Sequence, residues 1–284
     1  MSPANKQPLV IAGLEVNIYS AAPITAGERN PKEIAVIFLL HGRYGSAEAI
    51  DPIARSVIDQ TKNNRRDLLI VTFDQRNHGK RIVDPKGNDA WSKDKIKHNE
   101  RHAVDMYAIQ TGTARDVSLL VDFLPSFLYP NNESHNIVEW GVAGISLGGH
   151  ATWITLANDK RVRTGIPIIG CPDYNKLIAL RAQQVGVALE GPTFPKSFKG
   201  IVETLDPPFL IKGAENPFLG KRVLVLSGEA DQLVPWEASK EFVLDKLDVG
   251  KEGVKTVSLY RGVGHECTDA MVQEMAEFIA KHCL

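Results

Sequence analysis

The sequence is poor in cysteine. Cys171, Cys267 and Cys283 are all it has, an odd number at wide spacing. That argues against a disulfide framework, and no pair has the spacing of a metal-ligand set. Long apolar runs are missing as well. Nothing approaches the ~18 apolar residues that a spanning helix needs, so no membrane span is expected. Neither sign of charge is in excess: 33 Lys and Arg face 34 Asp and Glu, for a net charge of −1. Such a balance exerts no general pull on nucleic acid or an anionic membrane. Internal repeats and low-complexity tracts are absent. The segment Met1–Pro8 is polar and lacks the apolar core of a secretory signal, so a reducing, cytoplasmic location is expected.

What the chain does have is alternation. Leu9–Ser20 alternates loosely around Gly13, as an edge hairpin does, and Pro23–Pro31 is a turn-rich connection. Ile34–Leu40 and Leu68–Phe73 are continuous apolar runs, as expected of strands buried on both faces of a helix-covered parallel sheet. Further strands are expected at Ile137–Ala143, Val162–Ile169, Arg222–Ser227 and Val254–Tyr260. Helices are expected over Asp51–Lys62, Thr111–Leu128 (with Thr113 as cap and Asp116 three residues on), His150–Ala157, Glu237–Leu247 and Thr268–His282. The 284 residues suit a single α/β domain.

Two stretches depart from the pattern. Lys80–His102 is polar and aperiodic, too long for a passive connector. Its basic residues Lys80, Arg81, Lys93, Lys95 and Lys97 are interleaved with Asp84, Asp89 and Asp94, which describes a solvated face. Between Cys171 and Gly220 six prolines break the chain, leaving a helix over Asn175–Val187 and otherwise irregular structure. Residues 171–220 are the expected place for a small cap or substrate-binding excursion. Tyr174, Leu177, Phe194, Phe198, Phe209 and Phe218 suit either an apolar pocket or the excursion's own core.

The chemistry centres on Gly144-Ile-Ser-Leu-Gly148-Gly149, between the strand ending at Ala143 and the helix opening at His150. Gly-x-Ser-x-Gly in that context is a nucleophile elbow, a sharp turn that exposes the serine hydroxyl. Asp231 follows another strand within Gly228-Glu-Ala-Asp-x-x-Val-Pro235. His265 follows the last strand within Gly262-x-Gly-His265. Ligands collect beyond the carboxyl ends of parallel strands, so residues distant in sequence can meet there. A serine needs a base to take its proton, and the base needs a carboxylate to orient it. Ser146, His265 and Asp231 fill those roles; Glu229 and Asp173 are rival acids. His41 is expected to stabilise its loop rather than act as a base.

These motifs, together with His41-Gly42 after the first buried strand and Asp74-x-Arg-x-His-Gly79 after the second, resemble the α/β-hydrolases over nearly the whole chain. The esterase, prolyl-oligopeptidase-like and dienelactone-hydrolase-like members are the most similar. The resemblance implies an α/β fold with a mostly parallel central sheet flanked by helices. It also implies a serine hydrolase acting on a small-molecule ester through an acyl-enzyme. Amide or thioester hydrolysis, or acyl transfer, would use the same residues. The backbone N–H groups of Leu147 and Arg43 are the expected oxyanion donors, and Tyr44 and Tyr174 candidate substrate contacts. No metal or other cofactor is required.

Overall fold

A computed structural model of the chain describes residues 4–24, 33–130, 136–212 and 215–284. The connection expected at Pro23–Pro31 lies largely outside them. The chain opens with a hairpin, β1 (Asn5–Ile11) and β2 (Leu14–Ser20), that begins four residues earlier than the alternation suggested. Then come β3 (Ile34–Leu40), α1 (Asp51–Thr61) and β4 (Asp67–Phe73). After two short 3-10 turns follow α2 (His102–Leu128), β5 (Ile137–Ile145), α3 (Leu147–Asn158) and β6 (Val162–Ile168). The helices α4 (Tyr174–Val185), α5 (Lys196–Leu205) and α6 (Pro207–Leu210) precede β7 (Arg222–Gly228). Last come α7 (Trp236–Glu241), which continues as a π-helical turn, then β8 (Val254–Tyr260) and α8 (Asp269–His282).

The eight strands form one sheet in the order β1-β2-β4-β3-β5-β6-β7-β8. β1 with β2, and β2 with β4, are antiparallel; every later pairing is parallel. β3 is buried along its whole length, and its side chains alternate between two cores. Val36, Phe38 and Leu40 join one face with Leu120 of α2, Trp153 of α3 and Phe242. Ala35, Ile37 and Leu39 join the other with Val57 of α1 and Met275 of α8. A strand covered on both sides has no polar face to show, hence its uninterrupted apolar run.

The sequence pattern misjudged two helices. α2 begins at His102, nine residues before the expected start. Thr113 is buried inside it and caps nothing, and Asp116 accepts from Arg76 Nη2 at 2.8 Å and Arg81 Nη1 at 2.9 Å. A Thr-x-x-Asp spacing that looked like a cap is an ion-pair site for the loop after β4. The 171–220 stretch is also more regular than expected: Lys196–Leu205 is a helix that starts directly after Pro195. Proline is well tolerated at a helix start.

The helices α4 and α5 pack against α2 and α3 in a small core, where Tyr107 of α2 meets Tyr174 and Phe198 ring to ring. Beside it the carboxylate of Asp206, 2% exposed, accepts from the Tyr174 N–H at 2.8 Å and the Tyr107 hydroxyl at 3.4 Å. Burial pushes this carboxyl well above its ordinary range, against the pull of the Tyr174 N–H. Between the unfolded and folded pKa values the folded chain holds a proton that the unfolded chain has released. Stability contributed by that proton is present at low pH and lost as pH rises through the window. Asp206→Asn mimics the protonated group. Its melting temperature relative to wild type is expected to climb as pH rises from about 4. Parallel Tm curves for the two proteins would remove this account.

Candidate active site

β5 ends at Ile145, and the chain turns into α3 through Ser146, whose φ is 54° and ψ −107°. That conformation costs on the order of 1–3 kcal/mol unless the surroundings hold it. Here they do. The Ser146 N–H donates to Ile168 O at 2.8 Å, and its carbonyl accepts from His150 at 2.9 Å. The flanking glycines are required by contact. A Cβ on Gly144 would lie 2.2 Å from Gly148 O, and one on Gly148 would lie 2.5 Å from Leu40 O.

Ser146 Oγ lies 2.8 Å from His265 Nε2, and His265 Nδ1 lies 2.7 Å from Asp231 Oδ2. The other Asp231 oxygen accepts the N–H groups of Leu233 (2.8 Å) and Val234 (2.9 Å). Burial alone would raise the Asp231 carboxyl. The His265 hydrogen bond and the two backbone donors outweigh it and hold the pKa below its usual value. Asp231 is therefore an acceptor only, which assigns the His265 proton to Nδ1 and leaves Nε2 free to accept from the Ser146 hydroxyl. Of the rival acids, Asp173 caps α4 by accepting from the Lys176 N–H at 3.0 Å, and Glu229 is exposed.

The loop after β3 lies against this serine: a Cβ on Gly42 would be 3.8 Å from Ser146 Cβ. His41 braces the loop. Its Nδ1 donates to Gly42 O at 2.8 Å and its Nε2 accepts from the Gln75 N–H at 3.0 Å. Burial, only partly offset by the Gly42 hydrogen bond, lowers its pKa to about 4, so the ring is neutral. The N–H groups of Arg43 and Leu147 have no hydrogen-bond partner among the described residues.

Neither a family model nor a curated protein matches this sequence. Solved structures do. TT1662 from Thermus thermophilus is 20% identical with a TM-score of 0.62, covering 99% of this chain and 98% of its own. The structure of Est1E from Butyrivibrio proteoclasticus with ferulic acid bound is 17% identical with a TM-score of 0.56, covering 97% and 96%. An acylaminoacyl peptidase from Pyrococcus horikoshii is 14% identical with a TM-score of 0.59; it matches 98% of this chain but only 41% of its own. The fold is that of the α/β-hydrolases.

On that α/β-hydrolase frame the two tyrosines singled out from the sequence lie in different settings. Tyr44 is 62% exposed, and its hydroxyl donates to Asp89 Oδ1 at 3.0 Å. Tyr174 is 2% exposed, with its hydroxyl on Ala103 O at 2.5 Å. It packs with Phe198, and with Phe194 and Phe209 at the margin, in a core that the α4–α6 segment shares with α2 and α3. Leu177 belongs to a separate small cluster and Phe218 to the main core. The 80–102 stretch, aperiodic in sequence, is pinned by Trp91, 5% exposed, and by His102 Nδ1, which donates to Asp89 O at 2.9 Å. Cys171, Cys267 and Cys283 are free. No helix among the described residues is long and apolar enough to cross a membrane.

One residue near this site gave no sequence signal. Arg181 on α4 donates through Nη2 to Leu233 O at 3.3 Å, so its guanidinium rests on the loop that carries Asp231. No local motif marks it; only the fold brings α4 to that loop.

Proposed function

We propose that this protein is a serine hydrolase that cleaves carboxylic esters through an acyl-enzyme on Ser146. The observation that carries the reading is the unbroken chain from Ser146 Oγ through His265 to Asp231, set on a strained elbow. In the first half-reaction Oγ attacks the ester carbonyl carbon while Nε2 of His265 takes the hydroxyl proton. The oxyanion accepts from the N–H groups of Leu147 and Arg43, each worth roughly a hundred- to thousandfold in turnover. The C–O bond to the alcohol then breaks, and the alcohol leaves with the proton from Nε2. Water repeats the sequence on the acyl-enzyme and releases the acid. Ionised Asp231 stabilises the imidazolium in both halves. Residues 171–220 serve as a small cap whose α4 meets the loop carrying Asp231, and exposed Tyr44 serves as a substrate contact.

Amide bonds are a second substrate class for the same residues, favoured by the likeness to the acylaminoacyl peptidase. The test is turnover of a p-nitrophenyl ester series from acetate to decanoate, with fluorophosphonate labelling alongside. Labelling of the wild type and none of Ser146→Ala is expected. Equal labelling of both would dismiss Ser146 as the nucleophile, and labelling with turnover of amides alone would move the reading to the second class.

A further inference from the structure

Resting on this hydrolase reading, we infer that Asp89 is a positioning residue for the oxyanion donor Arg43. It accepts the Tyr44 hydroxyl and so holds the Gly42–Gly45 turn in a strained form that presents the Arg43 N–H. The 80–102 stretch, a solvated face by its sequence, thereby gains a part in the reaction.

The turn itself is unusual. Gly42 O accepts from the Gly45 N–H at 3.0 Å and from His41 Nδ1 at 2.8 Å. The Arg43 N–H belongs to the same planar trans peptide as that carbonyl, so it points the opposite way. Of the two central residues only Tyr44 has a positive φ, 64°. That pattern is a type II turn, which calls for glycine at this place. A bulky side chain there strains the backbone. The unstrained alternative is a type I turn, reached by turning over the Arg43–Tyr44 peptide. That peptide adjoins the donor across a single Cα, so relaxation would disturb the N–H that the oxyanion needs.

The contacts of the turn resist that relaxation. The Tyr44 hydroxyl donates to Asp89 Oδ1 at 3.0 Å, the one hydrogen bond of its side chain among the described residues. The Arg43 guanidinium stacks over the Tyr44 ring at 5.1 Å and reaches Asn88 O through Nη1 at 3.4 Å. Both central residues of the turn thus lean on positions 88 and 89.

Asp89 is a firm anchor. Its N–H donates to Lys86 O at 3.0 Å, and its carbonyl accepts from His102 Nδ1 at 2.9 Å. His102 is the first residue of α2 and is buried. Asn99 Nδ2 joins Asp89 O, at 3.4 Å, to the Asp105 carboxylate of α2, at 3.0 Å. All of these bonds use the Asp89 backbone. Its side chain meets only Tyr44 among the described residues, so replacing it removes the latch and leaves the anchor.

The experiment measures kcat and KM for p-nitrophenyl acetate. It also measures Ki for a trifluoromethyl ketone, which Ser146 attacks to give a hemiketal with its oxyanion in the same hole. Asp89→Ala and Tyr44→Phe are each expected to lower kcat about three- to tenfold, the scale of one hydrogen bond. Ki should rise in proportion, and KM should stay within about twofold because both half-reactions use the hole. The double variant is expected to match either single one, since both substitutions break the same bond. Asp89→Asn, whose amide oxygen still accepts, is expected to keep at least about half of the wild-type kcat. Glycine takes a φ of 64° without strain, so Tyr44→Gly is expected to exceed Tyr44→Phe in kcat. A change in KM alone would make Tyr44 a substrate contact and nothing more, and overturns the inference. So do losses that multiply in the double variant, and a Tyr44→Gly enzyme slower than Tyr44→Phe. If fluorophosphonate labels wild-type Ser146 while Asp89→Ala keeps full kcat, only this inference fails. If Ser146 is not labelled and no ester is cleaved, the hydrolase reading falls and takes the inference with it.

Discussion

Ser146→Ala is expected to lower kcat by about a millionfold, the scale seen when a triad nucleophile is removed, equivalent to about 8 kcal/mol of barrier. The fold should be unaffected, because alanine bears the same φ of 54° that serine does. Asp231→Asn is expected to cost about ten-thousandfold, for a reason visible in the hydrogen bonds. The Leu233 and Val234 N–H groups both point at one oxygen of Asp231. In the variant they would claim the amide oxygen and turn the NH2 group towards His265 Nδ1. The ring would then accept at Nδ1 and carry its proton on Nε2, where it could no longer take one from Ser146. Steady-state turnover of p-nitrophenyl acetate checks both variants. An Asp231→Asn enzyme within tenfold of wild type would show that the carboxylate has no such orienting part.

The elements best legible in the sequence were those whose surroundings are simplest. β3 and β4 are covered on both faces, so their apolar runs could be placed within a residue of their true ends. The elbow was legible because Gly144, Ser146 and Gly148 answer to local sterics. Strand order alone put Ser146, Asp231 and His265 at one sheet edge, and the structure adds their hydrogen-bonded distances. The errors came where tertiary contacts override local signals. The early turns of α2 carry Asp105 and Gln110 among apolar residues, and Thr113 with Asp116 mimicked a start. The prolines around α5 suggested disruption, yet Pro195 precedes a regular helix. Arg181 could not be picked out at all. Its significance lies in a carbonyl 52 positions away along the chain, and no spacing rule reaches that far.

Gly148→Ala is expected to destabilise the fold by about 3 kcal/mol, the upper end for an overpacked site. At about 2–4 °C per kcal/mol, that lowers Tm by roughly 6–12 °C. The new Cβ would fall 2.5 Å from Leu40 O and 2.7 Å from Leu40 Cβ, so strand β3 and helix α3 must separate. Separation breaks the Gly148 N–H bond to His41 O, now 3.2 Å. It also displaces the first turn of α3, which bears the Leu147 N–H and ends the serine elbow. Activity should therefore fall further than the remaining folded fraction explains. Gly200→Ala is the control. Gly200 sits in the middle of α5, with nothing within 4 Å of the Cβ it would gain. There alanine restricts the unfolded chain and favours the helix, and a gain of about 0.4–1 kcal/mol is expected. The same chemical change should thus carry opposite signs at the two positions, because only at Gly148 does the backbone of another element occupy the space. Thermal unfolding of the two variants tests this directly. A Gly148→Ala protein as stable as wild type would mean that β3 and α3 can part without cost, and that their close approach does not hold the elbow.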